Sequence, residues 1–259
     1  MKNRYFIELS FKGTQYHGWQ VQPNAVTVQE LLDKTLQVLL KEETETTGAG
    51  RTDSGVHAPY FVAHFDSMHD NLHQEKELLR KLNQMLPKDI SILALTKMHP
   101  EAHARFDALS RTYEYRISLA KDPFLLDSAH YMHDNLDVDL MNKGAAIINT
   151  TTDFTSFSKL HTDVKTNVCA VRYSQWDRRD HVLVYTICAD RFLRNMVRAI
   201  TGTLLDLGRG KISMEQLEQI IQSKNRNLAG NSVPAQGLFL TDIEYPASYY
   251  LSRMRYKSY

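Results

Sequence analysis

The chain has 259 residues, 42% of them hydrophobic and 24% charged, with a formal net charge of +1. That is the balance of a soluble globular protein long enough for two domains of ordinary size, and no apolar run approaches the roughly 20 residues needed to span a bilayer. The opening MKNRYFIELSF alternates charged and apolar residues without an apolar h-region, so it does not read as a secretory signal and a cytoplasmic protein is expected. The near-neutral sum neither demands nor excludes a polyanionic partner, because recognition depends on local clusters such as Arg172, Arg178 and Arg179, or Arg191, Arg194 and Arg198. The two cysteines, Cys169 and Cys188, have no partner at metal-ligand spacing and read as reduced core thiols.

In chain order, Tyr5, Ile7, Leu9 and Phe11 alternate with the period of a half-buried strand. Thr27 and Glu30 form a T-x-x-E capping box ahead of Val28, Leu31, Leu32, Thr35, Leu36, Leu39 and Leu40, which repeat at helical spacing. A short β-leaning run ends at Thr47, and YFVAHF resumes strand character after the glycine-rich stretch taken up below. Leu78, Leu79, Leu82 and Met85 then mark a helix stopped by Pro87, followed by a strand over 90–95. The order is βαββαβ, and the second half repeats it. Strands are predicted over 112–119, 168–176 and 182–189, with helices from about Asp137 and from Phe192 to Leu207; a further helix opens on the Ser213/Gln216 capping box, and the last strand is GLFLTDIEY. The expected fold class is therefore α+β. Two ferredoxin-like split βαβ domains with mainly antiparallel sheets, 1–105 and 106–259, are joined near HARFDALSR, and by analogy would flank a central cleft suited to an extended polymer.

The stretch TTGAGRTDSGVHA, Thr46 to Ala58, concentrates the chemistry. A phosphate loop is excluded: Asp53 stands where G-x-G-x-x-G needs its third glycine, no lysine follows, and a strand rather than a helix N-terminus comes next. A metal site fares no better, since the spacings of His57, His64, His69 and His73 match no zinc pattern. The plain alternative is a glycine turn carrying an Arg51–Asp53 surface pair of little energetic worth. Against it stands the demand on the backbone: glycines on both sides call for φ > 0 or close approach, and would present an aspartate from a loop as nucleophile or base. To work ionised in a partly desolvated pocket, such an acid needs a cation, either Arg51 or an arginine from the second half.

The motif GAGRTDSGVHA resembles the signature of the tRNA pseudouridine synthase A family. The resemblance extends in order through FKGTQYHGWQVQPNAVTVQELL, LNQMLPKDI, HARFDALSRTYEYRI, DFTSF, RFLRNMVRAITGTLLDLGRG and AQGLFL, nearly the whole chain. It implies the pseudouridine synthase fold and the isomerisation of uridine to pseudouridine in the tRNA anticodon stem-loop, at positions 38 to 40, by a homodimer with no cofactor and no metal. Asp53 would be the catalytic residue of that reaction. Tyr113 would stack on the target base, Arg198 would pair with the aspartate, Arg51 would help open the RNA and fill the space of the flipped base, and Leu238 would line the uracil pocket. From the residues alone, Tyr113 shares a face with Tyr115 and Ile117 and reads first as core. The pattern departs from the family at NTTTDFTSF, where a glycine usually precedes the DF block, and at Ser54, an alanine in many members.

Overall fold

The computed structural model describes residues 2–159, 165–246 and 250–255. In chain order the elements are β1 (Asn3–Phe11), α1 (Val28–Leu40), β2 (Thr47–Gly48), β3 (Ala58–Ser67), α2 (Lys76–Met85), β4 (Ile90–Met98), β5 (Ser110–Ser118), β6 (His130–Tyr131), α3 (Val138–Thr150), β7 (Val171–Arg179), β8 (Val182–Ala189), α4 (Met196–Gly208), α5 (Met214–Ser223), β9 (Leu238–Glu244) and β10 (Tyr250–Arg255). They form two compact units, Met1–Leu109 with Leu240–Tyr259, and Ser110–Phe239. Among the described residues no helix is long and apolar enough to cross a membrane.

The first sheet has the order β10-β4-β1-β3-β2, its pairs antiparallel. Tyr5, Ile7, Leu9 and Phe11 are buried as the alternation predicts, and each such large apolar side chain stabilises the fold by about 2 kcal/mol. Their neighbours differ from the expectation of a half-buried strand, because Phe6 and Glu8 on the opposite face are buried too. Tyr245 packs edge-on against Phe6 at 5.1 Å, its hydroxyl donating to the Ala104 carbonyl at 2.5 Å. Arg4 donates to the Ala102 carbonyl at 2.5 Å, and Ala104 N–H donates to His64 Nδ1 at 3.1 Å. The segment after β4 thus covers the second face. Burial, with Arg4 and His103 adding repulsion, lowers His64 to about 4, so it serves as a neutral acceptor.

Helix α1 begins where the capping motif places it, with Glu30 N–H donating to Thr27 Oγ1 at 3.3 Å. The Glu30 carboxylate takes Lys34 at 2.5 Å instead of closing the box. Polar side chains one turn apart on α1 reach the segment leading into β2: Gln29 Nε2 donates to the Thr46 carbonyl at 2.6 Å, Gln37 Nε2 to the Thr44 carbonyl at 3.0 Å, and Asp33 Oδ1 accepts from Thr46 N–H at 2.9 Å and from its hydroxyl at 2.7 Å. Burial outweighs these bonds and pushes the Asp33 carboxyl from 3.8 up to about 6. The folded chain therefore holds this proton more tightly than the unfolded chain, and the contribution to stability is present below about pH 4 and lost as pH rises towards about 6. Asp33→Asn keeps an acceptor oxygen and removes the titration. Its melting temperature relative to the parent is expected to climb between about pH 4 and pH 7 in thermal denaturation. A difference that stayed flat across that range would contradict the assignment.

The second unit is built on β5, flanked on one edge by β8 and then β7, with β9 and the short parallel strand β6 sharing the other edge. Leaving β6 and β10 aside, both sheets run fourth-first-third-second in the order of their own strands, the ferredoxin-like arrangement. Tyr115, Tyr185 and Trp176 lie side by side across the sheet and are fully buried, the last two stacked at 4.8 Å. The strand predicted over 168–176 runs instead over Val171–Arg179, because Val168 makes only an isolated bridge to Asp153. Helix α4 starts at Met196 and not at Phe192, since Asn195 sits at φ +67. The Ser213/Gln216 capping box closes in both directions. Before the DF block, Thr152 accepts from Cys169 N–H, and Asp153 is held by Lys224 at 2.7 Å and by Thr155, which lower its carboxyl to about 2. Cys169 is buried and Cys188 half-buried, both free thiols.

Candidate active site

Asp53 and Arg51 lie in the first unit, on the loop between β2 and β3. Gly48, the last residue of β2, has no room for a side chain, since a Cβ there would sit 2.4 Å from the Trp19 indole nitrogen; Trp19 itself packs on Phe61 at 4.4 Å. After Ala49 N–H bonds the Val62 carbonyl at 2.8 Å, the chain leaves the sheet. Arg51 is exposed and pairs with no carboxylate among the described residues, so the Arg51–Asp53 surface pair does not form. Asp53 is half-buried, and its carbonyl accepts from Val56 N–H at 3.2 Å across a turn whose third residue, Gly55, has φ +81. That φ suits a type II turn and favours glycine.

The loop is clamped by residues 12–19. Tyr16 offers its carbonyl to Gly55 N–H and to the Ser54 hydroxyl, each at 3.2 Å, and its own hydroxyl is tied to Asp89. Gly13 N–H donates to His57 Nδ1 at 3.0 Å, which puts the His57 proton on Nε2, and the His57 carbonyl accepts from Leu240 N–H at 2.9 Å. Gly13 and Gly18 allow main chain to lie on main chain: added Cβ atoms would come within 1.9 Å of the Val56 oxygen and 2.2 Å of the Thr52 oxygen. These two glycines were missed as site residues. Their signal was the spacing of glycines in the turn-rich FKGTQYHGW, opposite a loop that is itself glycine-framed. His57 and His64 are each engaged by a backbone amide, and among the described residues no cluster of three or more His, Cys, Asp or Glu is suited to a metal.

Tyr113, Arg198 and Leu238 lie in the second unit. Tyr113 is half-buried near the start of β5, its ring edge-to-face with Phe192 at 5.1 Å and 86°, a favoured aromatic geometry. Arg198 stands in the first turn of α4. Its Nε donates to the Val233 carbonyl at 2.7 Å while Val233 N–H donates to the Arg198 carbonyl at 3.2 Å. Tyr115, two residues from Tyr113 on the same face, donates its hydroxyl to the Pro234 carbonyl at 2.9 Å. Burial raises the Tyr115 hydroxyl, with the nearby Arg198 charge pulling weakly the other way, so it stays a neutral donor. Gly237 lies against the Tyr115 ring, where a Cβ would come within 2.8 Å, and Leu238 follows, buried, at the start of β9. The strand carrying Tyr113, the guanidinium of Arg198 and the backbone entering Leu238 are thus linked through residues 233–237.

Comparison with known proteins agrees with this architecture. The family described as tRNA pseudouridine synthase matches residues 151–246. The tRNA pseudouridine synthase A of Bacteroides fragilis is 52% identical over 244 residues, covering 94% of this chain and 96% of that protein. Those of Bacteroides thetaiotaomicron and Parabacteroides distasonis are 50% and 47% identical, covering 94% of this chain and 91% and 96% of theirs. Paired βαββαβ sheets with this match define an isomerase with the pseudouridine synthase fold. The chain belongs to the tRNA pseudouridine synthase A family.

Proposed function

We propose that this chain converts uridine to pseudouridine in the anticodon stem-loop of tRNA, at positions 38 to 40, with Asp53 as the catalytic carboxylate. In that reaction the N1–C1′ bond breaks, the base turns and C5 bonds to C1′, with the C5 hydrogen lost as a proton and N1 taking a proton up. Atoms and electrons balance without an external oxidant or reductant. Three first steps are open to a carboxylate here: attack at C1′, attack at C6, or removal of the C2′ proton. The observation that carries the reading is the Asp53 loop, which is fixed by main-chain packing at Gly13 and Gly18 while its side chain stands half-buried. Pre-organisation of that kind is what a catalytic acid requires.

The other roles follow the chemistry of a flipped base. Unstacking costs a few kcal/mol, which stacking and edge contacts to the extruded base offset. Tyr113, held edge-on by Phe192, is the stacking surface; Leu238 lines the uracil pocket. Arg198 is the cation assigned to pair with the catalytic carboxylate. Arg51, exposed and without a carboxylate partner among the described residues, is suited to entering the RNA stack. We assign the active species as a cytoplasmic homodimer. Mapping pseudouridine in tRNA from cells lacking the protein should show loss at positions 38 to 40, restored by the wild-type gene and not by an Asp53→Ala copy. Unchanged modification at those positions would reject the reading.

A further inference from the structure

Residues 229–234 form a strap without regular structure that crosses the N-terminal half of α4. It lies so close that a Cβ on Gly202 would come within 1.8 Å of the Asn231 carbonyl oxygen, and one on Gly230 within 2.8 Å of the Thr203 nitrogen. Gly230 N–H donates to Thr203 Oγ1 at 2.9 Å. The far end of the strap carries the Val233 carbonyl that takes Arg198 Nε and the Pro234 carbonyl that takes the Tyr115 hydroxyl. Backbone position in the strap therefore sets where one acceptor of the Arg198 guanidinium, the Val233 carbonyl, lies.

At the near end one side chain, Arg226, gathers three acceptors. Arg226 Nη1 donates to the Gly230 carbonyl at 3.1 Å and to the Ala229 carbonyl at 3.4 Å, and Nη2 donates to Ser232 Oγ at 2.9 Å, which also accepts from Asn195 Nδ2 at 2.6 Å. Arg226 is half-buried, and no carboxylate is among its partners in the described residues. Burial lowers its pKa, as expected for a cation given only neutral oxygens. A guanidinium so placed is costly as packing and well suited to one task, a planar fork fixing three acceptors at once.

We propose that Arg226 is a positioning residue for the isomerisation: by clamping residues 229–232 it holds the Val233 carbonyl where it aims the Arg198 guanidinium. The inference rests on the role given to Arg198 above. A displacement of about 1 Å in a catalytic group, transmitted from a distance, can cost on the order of 100-fold in rate.

The test is single- and multiple-turnover kinetics on an unmodified tRNA transcript with the full-length protein, comparing Arg226→Ala, Arg226→Lys, Ser232→Ala, Arg198→Lys and Arg198→Ala. Arg226→Ala is expected to lower kcat by about 100-fold with KM within about 3-fold. Arg226→Lys, which keeps the charge and loses the fork, is expected to recover only part of this, and Ser232→Ala, which removes one acceptor and leaves Arg226 in place, to lose about 3-fold to 10-fold in kcat. Adding Arg226→Ala to Arg198→Lys should cost far less than it costs alone, since both act through one guanidinium. Equal kcat in Arg226→Ala, or a rise in KM alone, overturns the proposal. Should Arg226→Ala not fold, full kcat in both Arg226→Lys and Ser232→Ala would overturn it instead. Full activity in Arg198→Lys and in Arg198→Ala would reject the role of Arg198 itself, a separate failure.

Discussion

Asp53→Asn is expected to reduce pseudouridine formation by about 10⁴-fold or more, while tRNA binding stays within a few-fold and the melting temperature is unchanged. The variant is nearly isosteric. An amide can neither form the ester-like adduct nor take a proton, so the loss follows for all three first steps. The turn uses the Asp53 backbone carbonyl, bonded to Val56 N–H, and the loop is fixed by main-chain contacts at Gly13 and Gly18, none of which the substitution removes. A transcript labelled with tritium at uridine C5 reads the reaction directly, because C5 exchanges its hydrogen for C1′. Gel shift or fluorescence anisotropy with the same transcript reads binding. Full tritium release by the Asn or the Ala variant would remove Asp53 from the mechanism.

The parts of the fold that were legible in the sequence are those decided by near neighbours. Alternation along β1 and the Ser213 capping box depend on residues within a few positions, and both form as read. The Thr27 box forms by half, because Lys34 one turn on competes for Glu30. What was hidden depends on distant partners. The second buried face of β1 is made by residues near 102–104 and by Tyr245, which no local period can announce. Strand β10, YLSRMR, pairs with β4 at the end of the first sheet, a partner far upstream that its own short run does not announce. In the candidate site, the glycine frame of Asp53 stood out at once. Its clamp, some forty residues upstream, did not, because the reason for Gly13 and Gly18 is a carbonyl that approaches only in the folded chain. The Arg226 strap was equally silent, since its acceptors are backbone carbonyls and a serine that any loop could carry.

Gly18→Ala separates the clamp from ordinary loop packing. Gly18 has φ +85, where a Cβ costs about 1–2 kcal/mol before any contact is considered. The added atom would also sit 2.2 Å from the Thr52 carbonyl oxygen and 3.3 Å from the Asp53 carbonyl carbon, so relief requires the Thr52–Asp53 peptide to retreat by about 1 Å to ordinary contact. Backbone has no rotamer with which to yield. The retreat carries the Asp53 Cα with it, and displacement of a catalytic group on that scale is worth about 100-fold in rate. Gly18→Ala is accordingly expected to lose about 2–4 kcal/mol of stability in urea denaturation and about 100-fold in single-turnover rate, with tRNA affinity little changed. Gly50 supplies the control on the same loop: its φ is not positive and nothing lies within 4 Å of a Cβ placed there. Gly50→Ala should leave stability within about 0.5 kcal/mol of the parent. If the two substitutions had equal effects on rate, the loop would owe its position to something other than the close approach of Gly18 to Thr52, and the pre-organisation ascribed to Asp53 would fall with it.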